Sequence, residues 1–389
     1  MADPQMQRHE LPLALRYALT SVSAIPSRTT VRRFDATNGT TFNPASSNEI
    51  RIPIQSSGFL ALNKGYLAVT VAKQTNTGEL CGSVESIIDS LEIRSQGNTL
   101  EDLQQYGHWA AFSTPWNQTL GDVCMAQAMN GGGAVDTAGA DDIICNPGKG
   151  AAFTAGWSKN FVTSLPHSGF LHGYHNKALP AGAAPFEIVI RLNPANTAFF
   201  GADTEDMAYT VTSCQYYCPV YEITDNSMME KYRQLVGAQG VNWIGQTYKT
   251  YIGSLVDAAS TQTLQINDRS DSLLGLVTTV RTTARINDEE FSGLANTSIY
   301  GMTKYRYIIE GADFPSSGGV SLSVASGNTS DVARCYDQQS KTLAKPGKTH
   351  SDSLVTLTRY VKTAANGDAG IDSACSALCC DLKRFDDSR

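Results

Sequence analysis

From residue 50 onward, apolar side chains recur at every second position. Ile50, Ile52 and Ile54 alternate with polar neighbours, Leu67, Val69 and Val71 oppose Tyr66, Ala68 and Thr70, and Phe186–Leu192 and Tyr209–Ile223 follow the same period. A period of two places alternate residues on opposite faces of a strand, whereas a helix needs 3.6. Gly-, Ser- and Asn-rich stretches separate these runs, as at Gln96-Gly97-Asn98 and Gly131-Gly132-Gly133. Short strands joined by such segments predict an all-β protein of sandwich or jelly-roll type with a few short helices.

Length divides the pattern in two. A single core stops growing near ~250–300 residues, and this chain has 389. The expected organisation is an N-terminal arm over 1–45, a first β-sandwich over 46–237 and a second over 238–389. Strands are expected at 59–71, 86–94, 186–192 and 209–223. In the second half they are expected at 241–252, 261–268, 273–285, 303–311, 354–361 and 375–384. Helices are expected at 226–237, where Met228, Tyr232 and Leu235 share a side and can brace the two halves, and at 330–343. Residues 116–160 show no period and read as a long loop.

Only 17% of residues are charged, against the usual ~25%. Strand flanks so poor in charge are expected to be covered by other subunits. The net charge is −7, which argues against nucleic-acid binding by the whole chain. Its distribution is uneven. Residues 1–33 hold Arg8, Arg16, Arg28, Arg32 and Arg33 against Asp3 and Glu10, so the first segment carries +3 and the rest −10. An arm of that sign suits an acidic partner, either a genome or lipid head groups. There is no apolar run of membrane-spanning length and no signal-peptide pattern.

Chemistry-bearing motifs are scarce. The chain has no phosphate loop, HExxH, GxSxG or paired CxxC. Gly148-Lys149-Gly150 is a turn with a lysine. His167, His172 and His175 lie close enough in sequence to suggest zinc, but no further ligand pattern accompanies them. The nine cysteines, Cys81, Cys124, Cys145, Cys214, Cys218, Cys335, Cys375, Cys379 and Cys380, are an odd set in a large chain and are expected to be free thiols. Cys214 and Cys218 fall on one face of a strand, as small hydrophobes. The carboxylates Asp141-Asp142 and Asp288-Glu289-Glu290 sit in loop-like sequence. The residues support no catalytic, cofactor or metal site, and an enzyme is not expected. Trp109, Trp116, Trp157 and Trp243 leave a carbohydrate-binding sandwich, such as a receptor-binding or fibre-like viral protein, as the alternative to a structural role.

Several segments, in order along nearly the whole chain, resemble the double jelly-roll major capsid proteins of icosahedral double-stranded DNA viruses, in the branch of virophages, polinton-like viruses and large DNA viruses of eukaryotes. They are Ser57–Leu67, Ser86–Arg94 followed by Gly97, Tyr209–Cys214 running on to Ile223, Leu264–Leu276 ending at Arg281, and Tyr305–Ser316 followed by a helix near Ala333–Leu343. The resemblance implies two upright jelly rolls per chain and a pseudo-hexagonal homotrimer that meets neighbouring trimers, penton and minor capsid proteins. It also implies an inward N-terminal arm against genome or internal membrane, outward loops, and a place in the virion capsid assembled in the host cell. The family continues through further strands after a Gly-Ile-Asp segment, here Gly370-Ile371-Asp372. This chain stops at Arg389, so its last barrel is expected to be shorter than usual, truncated, or completed by a neighbour.

Overall fold

The computed structural model describes residues 27–117, 149–172, 178–180, 185–201, 207–223, 245–256, 261–268, 272–281, 302–322, 329–343 and 377–382, with scattered positions between them.

Eight strands organise the first half: β1 (Ser27–Asp35), β2 (Glu49–Ile54), β3 (Tyr66–Lys73), β4 (Ile88–Ser95), β5 (Asn98–Gln104), β6 (Ser158–Thr163), β7 (Phe186–Leu192) and β8 (Tyr209–Ile223). They form two antiparallel sheets. In one, β8 lies between β1 and β3, and β6 flanks β3; in the other the order is β2-β7-β4-β5. The pairs β1–β8, β2–β7, β3–β6 and β4–β5 describe one long antiparallel hairpin wound around a common core. That winding is the jelly roll. Short pairs extend it: Phe59–Leu60 joins β8 to Leu179–Pro180, and Gly78–Cys81 pairs with Lys149–Phe153 and Phe199–Phe200.

The core follows from the alternation. On β8, Cys214, Tyr216, Cys218 and Val220 are buried, while Gln215, Tyr217 and Pro219 between them are half-exposed. β3 does the same with Leu67, Val69 and Val71. In the other sheet, Ile50, Ile52 and Ile54 of β2 meet Ile188 and Ile190 of β7 and Leu91 and Ile93 of β4 in one continuous cluster.

The structure moves one boundary. Ser27–Asp35, expected to belong to the arm of residues 1–45, is a full sheet strand with nine register pairs to β8, from Ser27↔Ile223 to Asp35↔Gln215. Phe34 turns inward and is buried. The jelly roll therefore begins at Ser27, well before residue 46. Within the expected loop at 116–160, Lys149–Phe153 and Ser158–Thr163 are strands.

A helix that the pattern does not predict, α1 (Tyr106–Asn117), follows β5. Tyr106 and Ala110 belong to the first core, and Phe112 and Trp116 to a second cluster with Tyr305, Val320, Leu322, Cys335, Leu343, Leu378 and Cys379. A helix buried on both sides shows no amphipathic stripe.

The second half contributes α2 (Thr329–Leu343), in the expected place, and a ladder of β9 (Gly275–Thr278) with β10 (Leu378–Asp381). Shorter ladders join Lys304–Tyr305 to Val320–Ser321, Tyr307–Ile309 to Ala312–Phe314, and Val361–Lys362 to Gly370–Ile371. Two expected strands are corrected: the described residues 245–252 and 261–268 carry no ladder. The helix expected at 226–237 lies outside the described residues apart from Glu230 and Gln234, which are helical. Among the described residues no helix is long and apolar enough to cross a membrane.

Candidate assembly surfaces and the buried seam

Polar side chains collect where α1 meets the open end of the jelly roll. Glu85 sits in the short 3-10 turn Val84–Ile87, capped by Ser83 Oγ, which accepts from the Glu85 amide. Its carboxylate accepts from Thr163 Oγ1 of β6 at 2.5 Å, and its other oxygen lies 4.0 Å from His167 Nε2. His167 contacts Thr114 Oγ1 at 3.4 Å and, through Nδ1, Ser113 Oγ at 3.5 Å. Glu101 on β5 points inward and accepts from Ser168 Oγ (2.5 Å), Gly169 N (2.8 Å) and Phe170 N (3.2 Å). A buried carboxylate with three donors is well satisfied. Tyr106 packs edge-on against His167, and burial pushes its phenol well above the ordinary range.

Ser113, His167 and Glu85 line up in the order of a nucleophile, base and acid. The geometry supports a structural role instead. Ser113 Oγ donates to the Trp109 carbonyl at 2.7 Å, so its proton is committed within the helix, and the residue is only 2% exposed. A nucleophile needs its proton held by the base and a substrate at hand. What the cluster does is tie the turn at 84–87, β5, β6, the turn at 164–172 and α1 together.

The sequence candidates are scattered. His172 bonds the Ser164 carbonyl, and His175 lies outside the described residues. No group of three His, Cys, Asp or Glu placed to hold a metal occurs among the described residues. Cys81, Cys214, Cys218, Cys335, Cys379 and Cys380 are free and buried. Burial pushes the Cys214 and Cys218 thiols up to about 12, as expected of inert core thiols. Trp109 packs on Tyr248 and Trp116 on Tyr336, with ring centroids 5.1 and 5.6 Å apart, so both serve the seam. Trp157 stands 57% exposed.

The two outer faces of the jelly roll differ sharply in charge. On the β2-β7-β4-β5 sheet the outward positions run Glu49↔Arg191, Arg51↔Val189↔Glu92↔Asp102 and Glu187↔Arg94. Arg51 and Arg191 reach Glu49 at 2.5 and 3.6 Å, and Arg94 reaches Glu92 at 2.5 Å. Hydrogen bonds from Arg51 and Arg94 hold Glu49 and Glu92 below the ordinary carboxylate range. This flank is laced with charge, contrary to the expectation that strand flanks are generally poor in it.

The other sheet presents Asn160↔Thr70↔Ser213, Val162↔Ala68↔Gln215 and Tyr66↔Tyr217, then Pro219 and Tyr221. Tyr66 and Tyr217 stack at 5.2 Å and 12°. The charges in register with this face are Arg33 and Asp35 of β1, and they pair with each other at 3.1 Å. Beside it Val31 is 60% exposed.

Residues 245–256, 261–268 and Ser270 form a third feature. Lys249 Nζ reaches Asp268 and Ser270, each at 3.1 Å, and Tyr251 OH donates to Asp268 at 3.0 Å. Leu264 packs over Gly253, and the Val256 amide donates to Gln262 Oε1 at 2.6 Å. These contacts join residues 249–256 to residues 262–268 and Ser270 as one antiparallel unit. It is anchored where Thr250 Oγ1 donates to the Gln104 carbonyl at the end of β5 and where Tyr248 meets Trp109. Beyond the anchor, Ile252 is 83% and Val256 70% exposed.

The strand winding defines the class: an antiparallel jelly-roll protein. No protein-family model matches the chain, and no curated protein matches it. Solved structures do. The chain is similar to a structure of the Sputnik virophage, at 10% identity and a TM-score of 0.42, over 92% of this chain and 77% of that one. It is similar to the PBCV-1 virus capsid, at 12% identity and 0.35, over 54% of this chain. It is also similar to the Faustovirus major capsid protein, at 9% and 0.34, over 55% of this chain and 57% of that one. The match spans just under half, 45%, of the PBCV-1 chain. TM-scores below 0.5 transfer neither function nor residue roles to this chain.

Proposed function

We propose that this chain is the structural major capsid protein of an icosahedral virus, a double jelly roll that forms pseudo-hexameric homotrimers and tiles the shell with them. The observation that carries the proposal is the eight-strand winding of residues 27–223, complete and bound through α1 to a second β-containing half. A jelly roll has two closed flanks, and its loops gather at the ends, where they lengthen freely. Two such units side by side give six around a threefold axis. In this reading residues 238–389 make the second barrel. The segment before Ser27 faces the shell interior. It holds Arg8 and Arg16 against Asp3 and Glu10 and so has no net charge, because Arg28, Arg32 and Arg33 of the expected basic arm belong to β1. Neighbouring trimers, penton proteins and minor capsid proteins are the partners, and the assembled virion in the host cell is the location.

Light scattering on a size-exclusion column tests the proposal. The expected mass is about three times the 41.8 kDa chain, holding at nanomolar loading, since obligate interfaces bury roughly 2,000–5,000 Å². Negative-stain images should show uniform hexagonal particles. A stable monomer that binds immobilised glycans overturns the proposal and favours a carbohydrate-binding sandwich.

A further inference from the structure

We propose that His167 is a proton-operated lock on the buried seam. Charged, it ties Glu85 of the jelly roll to α1, and when it loses its proton the helix common to both cores is held less tightly. The inference stands apart from the shell reading.

The hydrogens around the imidazole decide its charge. Ser113 Oγ has one proton and donates it to the Trp109 carbonyl at 2.7 Å. Towards His167 Nδ1, 3.5 Å away, that oxygen therefore accepts, and Nδ1 carries a hydrogen. On the other side of the ring Nε2 faces Glu85 Oε2 at 4.0 Å and Thr114 Oγ1 at 3.4 Å. A neutral ring with its hydrogen on Nδ1 turns a lone pair towards the Glu85 carboxylate. Only the imidazolium presents an N–H to the acceptors on both sides. Burial by itself disfavours a charged ring, and an opposite charge within about 4–6 Å opposes that effect. With the two side chains 7% and 3% exposed, salt screens the attraction little.

The other ionisable groups of the cluster are engaged differently. Glu101 of β5 accepts from Ser168, Gly169 and Phe170. Tyr106 of α1 and Tyr248 lie near both carboxylates. Burial, with Glu85 and Glu101 adding to it, holds both phenols above their ordinary range, so they stay neutral where a histidine titrates. His172, at the end of the same turn, bonds the Ser164 carbonyl. Ser113 and Thr114 lie on α1 between Phe112 and Trp116, which enter the second core. A proton on His167 therefore acts on the element that both cores share.

Urea unfolding of the full chain at a series of pH values tests this. An unfolded histidine releases its proton near pH ~6.5. If the fold holds that proton more tightly, the lock's stability is fully present below that pH and is lost as pH rises through the folded value. Over that window the folding equilibrium constant of the wild type should fall up to about tenfold per pH unit relative to that of His167→Gln. Glu85→Gln keeps an acceptor for Thr163 and removes the charge; it should flatten the fall equally, and the double variant should add nothing. Parallel pH profiles for wild type and variants overturn the proposal, as does a wild-type advantage that grows with pH. Should the variants fail to fold, nuclear magnetic resonance of the wild type with labelled histidines decides. One of the six imidazoles should stay charged above pH ~6.5, and titration of all six at or below that value overturns the lock.

Discussion

The side-chain amide of Asn117 donates to the Leu343 carbonyl at 3.0 Å, so the last residue of α1 is bonded to the last residue of α2, 226 positions away in sequence. The same Nδ2 also reaches the Ser113 carbonyl at 3.1 Å. One side chain thus answers carbonyls at the ends of two helices, where such groups lack intrahelical partners. The two halves meet at this point, and Trp116, 3% exposed, fills the space beside it.

Trp116→Ala should therefore destabilise the protein by about 3–5 kcal/mol, the usual cost of emptying a large aromatic site. Asn117→Ala should cost about 1 kcal/mol. Equilibrium urea unfolding measures both. A change under ~0.5 kcal/mol for Trp116→Ala, the usual surface value, would show that the seam does not bear on stability.

Gly107 lies in the first turn of α1, and a Cβ there would meet the Ile88 carbonyl oxygen at 2.9 Å and that of Glu85 at 3.0 Å. Both contacts are backbone atoms that cannot swing aside. Gly107→Ala should lower stability by about 1–3 kcal/mol despite alanine's better helix propensity. Thermal melting of the pair reads the sign directly; a rise in Tm refutes the close approach.

Truncation separates arm from sheet. Removal of residues 1–26 should leave the jelly roll folded, with native far-ultraviolet circular dichroism, and impair only shell assembly. Removal of residues 1–35 also takes away β1, exposes the edge of β8 from Gln215 to Ile223 and should produce aggregation, since an uncovered strand edge templates pairing. Equal behaviour of the two truncations would place β1 outside the folded core.

The buried thiols tie stability to alkaline pH. Burial raises Cys214 and Cys218 from 9.0 to about 12. The fold thus favours the neutral thiol over the thiolate. That contribution is fully present below pH 9 and is lost as pH climbs towards about 12. Urea midpoints should fall over that window, and replacing both cysteines with alanine should flatten the fall. Alkylation of the native protein at pH 8 should spare the six buried thiols, and alkylation after denaturation without reductant should label them.

The alternation along the chain determined a great deal unaided. β7 and β8 lie at the residues that the period of two marks, and α2 begins within one residue of its expected start. In each, one face is apolar and the other polar, so the local pattern and the burial coincide. β1 has no such signature. Its sequence Ser-Arg-Thr-Thr-Val-Arg-Arg-Phe-Asp turns Val31 outward and Phe34 inward, and it is a strand because β8 offers nine partners. α1 carries Gly107 and Pro115 and is buried towards two cores at once, which erases the stripe that would reveal a helix. Residues 245–252 and 261–268 have strand-like composition, yet no ladder forms on them among the described residues. Period and composition report which face of one element seeks a core. Strand order, the meeting of α1 with both halves, and the gathering of charge on one flank and tyrosines on the other depend on residues far apart in sequence. Only the tertiary structure brings those together.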